Sequence, residues 1–65
     1  MKVGDLVKFK STAYSSIGLV IETGAYAGNK DVKVCWARPN LHLDAEDIHT
    51  EYSKILEVIS ENNNN

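Results

Sequence analysis

Short runs in which apolar and polar side chains alternate dominate this sequence. One run lies at residues 7–10 (Val-Lys-Phe-Lys), and a stronger one lies at residues 32–36 (Val-Lys-Val-Cys-Trp). Because successive side chains of a strand point to opposite faces of a sheet, a period of two predicts half-buried β-strands. Glycine and small polar residues separate the runs, so the chain is expected to turn often.

Five short strands are predicted from this pattern. Residues 17–23 are rich in β-branched and apolar side chains and suit a central strand, in which Gly18 indicates a bend or a close backbone approach. Residues 24–30 form the clearest turn, because Gly28-Asn29 accepts positive φ angles and so predicts a hairpin. The other strands are expected within residues 2–10, 31–37, 41–52 and 56–59, with a single 3₁₀ turn at residues 53–55 before the last one.

Two points stay open in the second half of the chain. The alternation slips across residues 44–47, so the register of the segment 38–52 is undetermined. Residues 43–59 also allow a helix, because apolar side chains share one helical stripe at Ile48, Tyr52, Ile55 and Ile59. Short strands with frequent turn signals favour an all-β barrel over that helix, and closing a sheet removes its exposed edges.

Length and composition predict one small soluble domain. Apolar residues make up 43% and charged residues 25% of the 65 residues, which is typical of globular chains. Residues 1–60 are expected to form the domain, and the polar residues 61–65 a disordered tail. The single cysteine, Cys35, excludes an internal disulfide and a thiolate zinc site. With no apolar leader and no long apolar stretch, the expected location is the cytoplasm.

Four segments stand out in order along the chain: residues 2–8 (Lys-Val-Gly-Asp-Leu-Val-Lys), 17–22 (Ile-Gly-Leu-Val-Ile-Glu), 32–36 and 56–60 (Leu-Glu-Val-Ile-Ser). Together they resemble the small SH3-like barrel proteins that are frequent in marine bacteriophage genomes. The resemblance implies a five-stranded SH3-like barrel with a 3₁₀ turn before the last strand, acting in an infected host cell or associated with a virion. It implies no known activity. Residues 38–47 depart from the pattern, because this link between the third and fourth strands is longer than usual.

The residue pattern indicates neither catalysis nor a metal or cofactor site. Cys35 lies in a strand where thiols are inert, and a pair with His42 or His49 is a remote alternative. Histidine and acidic residues cluster at His42, Asp44, Glu46, Asp47, His49 and Glu51. Their spacing matches neither an HExxH motif nor a calcium-binding loop, so surface positions explain them better. Trp36 lies in the middle of a strand and is interpreted as a core residue.

The predicted function is therefore that of a non-enzymatic binding domain with an unidentified protein partner. Homo-oligomerisation is also expected, because a small core gains stability from it. The alternative is a weak nucleic-acid-binding barrel, since residues 1–43 carry six basic against three acidic side chains, whereas residues 44–65 carry one against six. The candidate interaction residues are Tyr14, Tyr26, Lys8, Lys10, Lys30, Lys33 and Arg38.

Overall fold

A single antiparallel sheet of five strands contains most of the described chain. The computed structural model describes residues 1–11, 16–37 and 47–62. The strands, in chain order, are β1 (Leu6–Phe9), β2 (Ile17–Thr23), β3 (Val32–Ala37), β4 (Ile48–Glu51) and β5 (Leu56–Ser60). Their order across the sheet is β4-β3-β2-β1-β5, so β2 is central and β4 and β5 form the two edges. The all-β class is confirmed, and the described strands do not close into a ring.

Local sequence signals place the turns where they were predicted. Ala27–Asn29 form a short 3₁₀ turn between β2 and β3, where Gly28 and Asn29 have φ values of 74° and 66°. A second 3₁₀ turn, Ser53–Ile55, precedes β5, as the sequence predicts. The helical alternative for residues 43–59 is wrong from Ile48 onward, because those residues form β4, the turn and β5. No helix in the described ranges is long and apolar enough to cross a membrane.

The core lies on one face of the sheet, which we call the inner face. Alternation along β3 directs Val32, Val34 and Trp36 to this face, while Lys33 and Cys35 point to the opposite, outer face. The buried apolar side chains of the core are Val7, Val20, Val32, Val34, Trp36 and Leu56. Phe9 packs against them. The predicted burial of Trp36 is thus confirmed, with 3% of the residue exposed.

Gly18 allows β2 to lie directly under the core tryptophan. Its partner across the strand pair is Trp36. A Cβ atom at Gly18 would overlap Cγ1 of Val34 and lie 2.8 Å from Cε3 of Trp36. Any side chain at this position would therefore displace the core, which confirms the close approach that the sequence indicated.

A β-bulge in β2 changes which face its last residues occupy. Val20 is opposite Val34, but Glu22 rather than Ile21 is opposite Lys33. The extra residue reverses the alternation, so Glu22 joins Lys33 on the outer face. The bulge therefore brings an acidic and a basic side chain together at one end of that face.

Asp5 ties the two ends of the described chain together. Its carboxylate accepts a hydrogen bond from the backbone N–H of Lys2 at 3.0 Å and another from that of Asn62 at 2.8 Å. Both donors favour the charged carboxylate, the Asn62 N–H most strongly, and they hold the pKa of Asp5 below its usual range. Asn62, assigned to the tail on sequence grounds, also donates from its amide to the Val3 carbonyl.

Candidate interaction groove

An open groove lies on the inner side of the molecule, between the end of β1, β3, β4 and the Ser53–Ile55 turn. Its volume is about 930 Å³. We call it the aromatic groove, and the residues that line it are Phe9, Lys10, Ser11, Ser16, Trp36, His49, Glu51, Lys54 and Ile55. Phe9 and Trp36 both line it, so a partner in this groove would lie next to aromatic side chains of the inner face.

Two stacked rings form the floor of the aromatic groove. The rings of Phe9 and Trp36 are 4.6 Å apart between centroids and nearly parallel, with an angle of 12° between their planes. The indole Nε1–H of Trp36 donates to a carboxylate oxygen of Glu51 at 3.1 Å. This bond and the stack hold the indole in place, and only 3% of Trp36 is exposed. The half-buried Phe9 ring is therefore the fixed aromatic surface that a flat or aliphatic ligand group could reach.

The turn that forms one wall of the groove is fixed by an aspartate from the start of β3. The Asp31 carboxylate accepts the backbone N–H of Ser53 at 2.7 Å and its hydroxyl at 2.6 Å. The Ser53 hydroxyl and then its N–H are the main causes that lower the pKa of Asp31. The Lys10 N–H donates to the Ile55 carbonyl at 2.9 Å, so the turn is also joined to the chain after β1. Lys54 and Ile55 are therefore presented on a well-anchored wall.

The rim of the groove carries positive charges that no described residue neutralises in an ion pair. Lys10 and Lys54 both line it. Lys54 Nζ lies 5.6 Å from the centroid of the Tyr52 ring, and Lys30 Nζ lies 5.9 Å from the same ring. Within the described residues, none of these three lysines forms a salt bridge, whereas Lys8 and Lys33 do. An acidic group on a ligand would find cations available here.

The structure separates the lysines that the sequence grouped as one basic face. Lys8 is opposite Ile17 on the outer face and forms a salt bridge with Glu57 at 3.2 Å. Lys33 is opposite Glu22, at the far end of β2, and pairs with it at 3.5 Å. Each charge is matched, so the two side chains do not form a joint basic patch. Lys10 lies at the groove and Lys30 lies beside Tyr52, while Tyr14 and Arg38 fall outside the described residues.

Tyr26 belongs to the charged end of the outer face rather than to an isolated loop tip. Its hydroxyl donates to Glu22 at 2.5 Å, and Lys33 Nζ lies 5.5 Å from its ring centroid. The hydrogen bond to Glu22 raises the pKa of Tyr26 to about 12, because ionising the phenol would break it beside a carboxylate. The same bond, with Lys33, lowers the pKa of Glu22. A hydrogen bond, a salt bridge and a cation–π contact thus join the three side chains to one another.

Sequence reasoning missed most of the aromatic groove. Trp36 was assigned to the core, which is correct, since 3% of the residue is exposed, but it also lines the groove. Phe9, Glu51 and Ile55 were not identified as site residues. The groove could have been anticipated from the alternation along the first and third strands, which places Phe9 and Trp36 on the same face. The predicted turn at residues 53–55 would have supplied its wall.

The cysteine, histidine and acidic residues considered for catalysis or metal binding do not lie together within the described residues. Cys35 points to the outer face, while His49, one position beyond the Cys35 partner Ile48, lines the groove on the inner side. No group of three or more histidine, cysteine, aspartate or glutamate side chains among the described residues could hold a metal ion. His42, Asp44 and Glu46 lie outside the described ranges.

Comparison of the chain with protein-family models, curated proteins and solved structures gave no match.

Proposed function

We propose that this protein is a non-catalytic SH3-like barrel that binds an extended segment of a partner protein in the aromatic groove. The strand order β4-β3-β2-β1-β5 and the 3₁₀ turn before β5 support the barrel proposal, as does the resemblance of four sequence segments to SH3-like phage proteins. That resemblance also leads us to propose action in the cytoplasm of an infected host cell or in a virion. The function itself rests on the groove, because folds of this kind do not define an activity.

The single observation that carries the proposal is the preorganised aromatic floor beside lysines that form no salt bridge with any described residue. The half-buried Phe9 ring, stacked on a Trp36 that Glu51 holds in place, offers a flat apolar surface for one anchoring side chain. Aromatic anchors in pockets supply much of the affinity of protein interfaces. Lys10 and Lys54 flank this surface. The ligand that fits best is an extended peptide with an aliphatic or aromatic residue between acidic residues.

Nucleic-acid binding is the competing possibility and requires a different surface from the one that the sequence suggested. Lys8 and Lys33 are already paired with glutamates, so a strand face centred on them offers little free charge. Lys10 and Lys54, which form no salt bridge among the described residues, line the groove, and Lys30 lies beside Tyr52. A polyanion would have to bind there, and its affinity would fall steeply with salt because bound cations are released.

A titration that follows the fluorescence of Trp36, the single tryptophan of the chain, tests both possibilities. The probes are a short peptide with a central leucine flanked by acidic residues, the same peptide with lysines in place of the acids, and an oligothymidylate. We expect binding of the acidic peptide alone. Tight, strongly salt-dependent binding of the oligothymidylate would instead establish the nucleic-acid alternative, and no binding of any probe would refute the proposed ligand class.

Charge variants locate the binding surface. The double variant Lys10→Gln/Lys54→Gln should weaken binding of the acidic peptide roughly two- to thirtyfold, since each exposed ion pair contributes about 0.2–1 kcal/mol. Lys8→Gln/Lys33→Gln is the matched control, because it removes the same number of charges, two, from the outer face. Equal effects of the two changes would show that net charge, rather than the groove, attracts the peptide.

A further inference from the structure

A row of apolar side chains crosses the outer face of the sheet, on the side away from the core. The register places Leu6 opposite Leu19, Leu19 opposite Cys35, and Cys35 opposite Ile48. Residues paired in this way direct their side chains to the same face. We call these four residues the outer apolar row, and Ile17 extends it along β2.

The described chain leaves the two leucines of this row and Ile17 exposed to solvent, and leaves Cys35 and Ile48 half-buried. Leu6 is 37%, Leu19 41% and Ile17 44% exposed. The solvated face of an antiparallel sheet normally carries polar side chains, and monomeric proteins rarely expose large contiguous apolar patches. An apolar row across four strands therefore indicates a surface that is covered in the working protein.

The charges that border the row favour a second copy of this chain as its cover. The Lys8–Glu57 pair lies on one side of the row, and the Lys33–Glu22 pair lies on the other. Each border contains one acid and one base, so the face as a whole is close to neutral. Two such faces can meet about a two-fold axis that lies in the interface and runs along the row. This rotation exchanges the two sides of the row, so the Lys8–Glu57 border of one copy lies over the Lys33–Glu22 border of the other. Unlike charges can then pair across the interface.

A standard interface would cover only a modest part of the molecular surface. A standard interface buries about 800 Å² on each partner. That is about one sixth of the 4607 Å² of accessible surface, in a molecule that measures 30 × 30 × 24 Å. Two sheets that pack face to face need only keep their strands roughly aligned, as in a β-sandwich.

We propose that the outer face of the sheet is a homodimer interface, with the outer apolar row at its centre. The aromatic groove lies on the inner side and stays open in this dimer. If the proposed peptide-binding function is correct, the dimer carries two grooves and binds a partner with repeated segments more tightly than a single domain does. The dimer itself does not depend on that function.

Sedimentation equilibrium of the full chain over a wide concentration range tests the proposal, with Leu19→Lys as the disrupting variant. Ile55→Lys is the matched control, because Ile55 is similarly exposed, at 38%, but lies on the groove side. We expect a concentration-dependent dimer that Leu19→Lys weakens about tenfold or more and that Ile55→Lys leaves unchanged. A monomer at every concentration, or equal effects of the two substitutions, would overturn the proposal.

Alkylation of Cys35 in the unaltered protein gives a second test that does not depend on the folding of a variant. Cys35 is half-buried, free and part of the outer apolar row. Its rate of reaction with a maleimide should fall as the protein concentration rises through the dimer range. A dimer whose Cys35 reacts at a constant rate would use another surface and would also overturn the proposal. Neither test contains a peptide, so failure of the dimer is distinguishable from failure of the groove.

Discussion

Replacing Gly18 with alanine should destabilise the protein far more than the addition of one methyl group suggests. The new Cβ would overlap Cγ1 of Val34 and lie 2.8 Å from Cε3 of Trp36. Both neighbours are buried, with exposed fractions of 0% and 3%, so neither has solvent into which it can move. Overpacking of this kind costs about 1–3 kcal/mol. The loss of glycine flexibility in the unfolded chain offsets about 0.4–1 kcal/mol of that.

The net loss is about 1.3 kcal/mol at the middle of these ranges and at most about 2.6 kcal/mol. Such a loss is large for a domain of this size, because a single small core rarely supplies more than about 3–5 kcal/mol. Thermal unfolding followed by circular dichroism should show a Tm lower by about 4–8 °C for each kcal/mol lost. Gly24→Ala is the control, since its Cβ would lie 3.6 Å from the Tyr26 hydroxyl in ordinary contact. It should change stability by no more than about 0.5 kcal/mol.

A second substitution identifies the cause of the loss at Gly18. Val34→Ala removes the methyl group that the new Cβ would overlap. The double variant Gly18→Ala/Val34→Ala should therefore be more stable than the sum of the two single effects predicts, by about 0.5–3 kcal/mol. Additive effects, or a Gly18→Ala protein as stable as Gly24→Ala, would refute the argument that close packing selects glycine here.

Two further predictions concern ionisable groups. Absorbance titration of the phenols should find one tyrosine, Tyr26, with a pKa of about 12, and Glu22→Gln should bring this transition down toward the usual range; an unchanged titration would contradict the hydrogen bond. The carboxylate of Asp5 has a lowered pKa in the folded protein, so its stabilising effect is full above its unfolded pKa of about 3.9 and is lost as the pH falls through the folded value. Urea unfolding at a series of pH values from neutral to acidic gives the free energy of unfolding at each pH. This free energy should fall less in acid for Asp5→Asn than for the unaltered protein, and the same pH dependence in both would disprove the linkage between Asp5 ionisation and folding.

Strand bounds and core faces could be predicted where apolar and polar residues alternate regularly along the sequence. The bounds of β2 and of the Ser53–Ile55 turn match the sequence prediction, and the alternation along β3 identified its core face correctly. These features depend on side chains that are neighbours in the chain or share one strand. The bulge at Ile21 was not predictable, because it is defined by the partner strand rather than by the residues around it.

The candidate site was predictable only in part. Lys10 was identified as an interaction residue, but grouping it with Lys8 and Lys33 assumed that lysines on neighbouring strands are free. The ion pairs of Lys8 with Glu57 and of Lys33 with Glu22 join residues that are distant in the chain or displaced by a bulge. Composition records such charges without showing which of them neutralise one another.

The sequence by itself determined the all-β class, the alternation that divides each strand into two faces, and the need for glycine at a crowded position in β2. Each of these follows from local sterics and from the period of two in a strand. Only the tertiary structure decided that Phe9 and Trp36 stack, that Asp31 anchors the turn beside them, and that the outer faces of four strands align their apolar side chains. These relations join distant segments through strand order and register, and small shifts in either would direct the same side chains elsewhere.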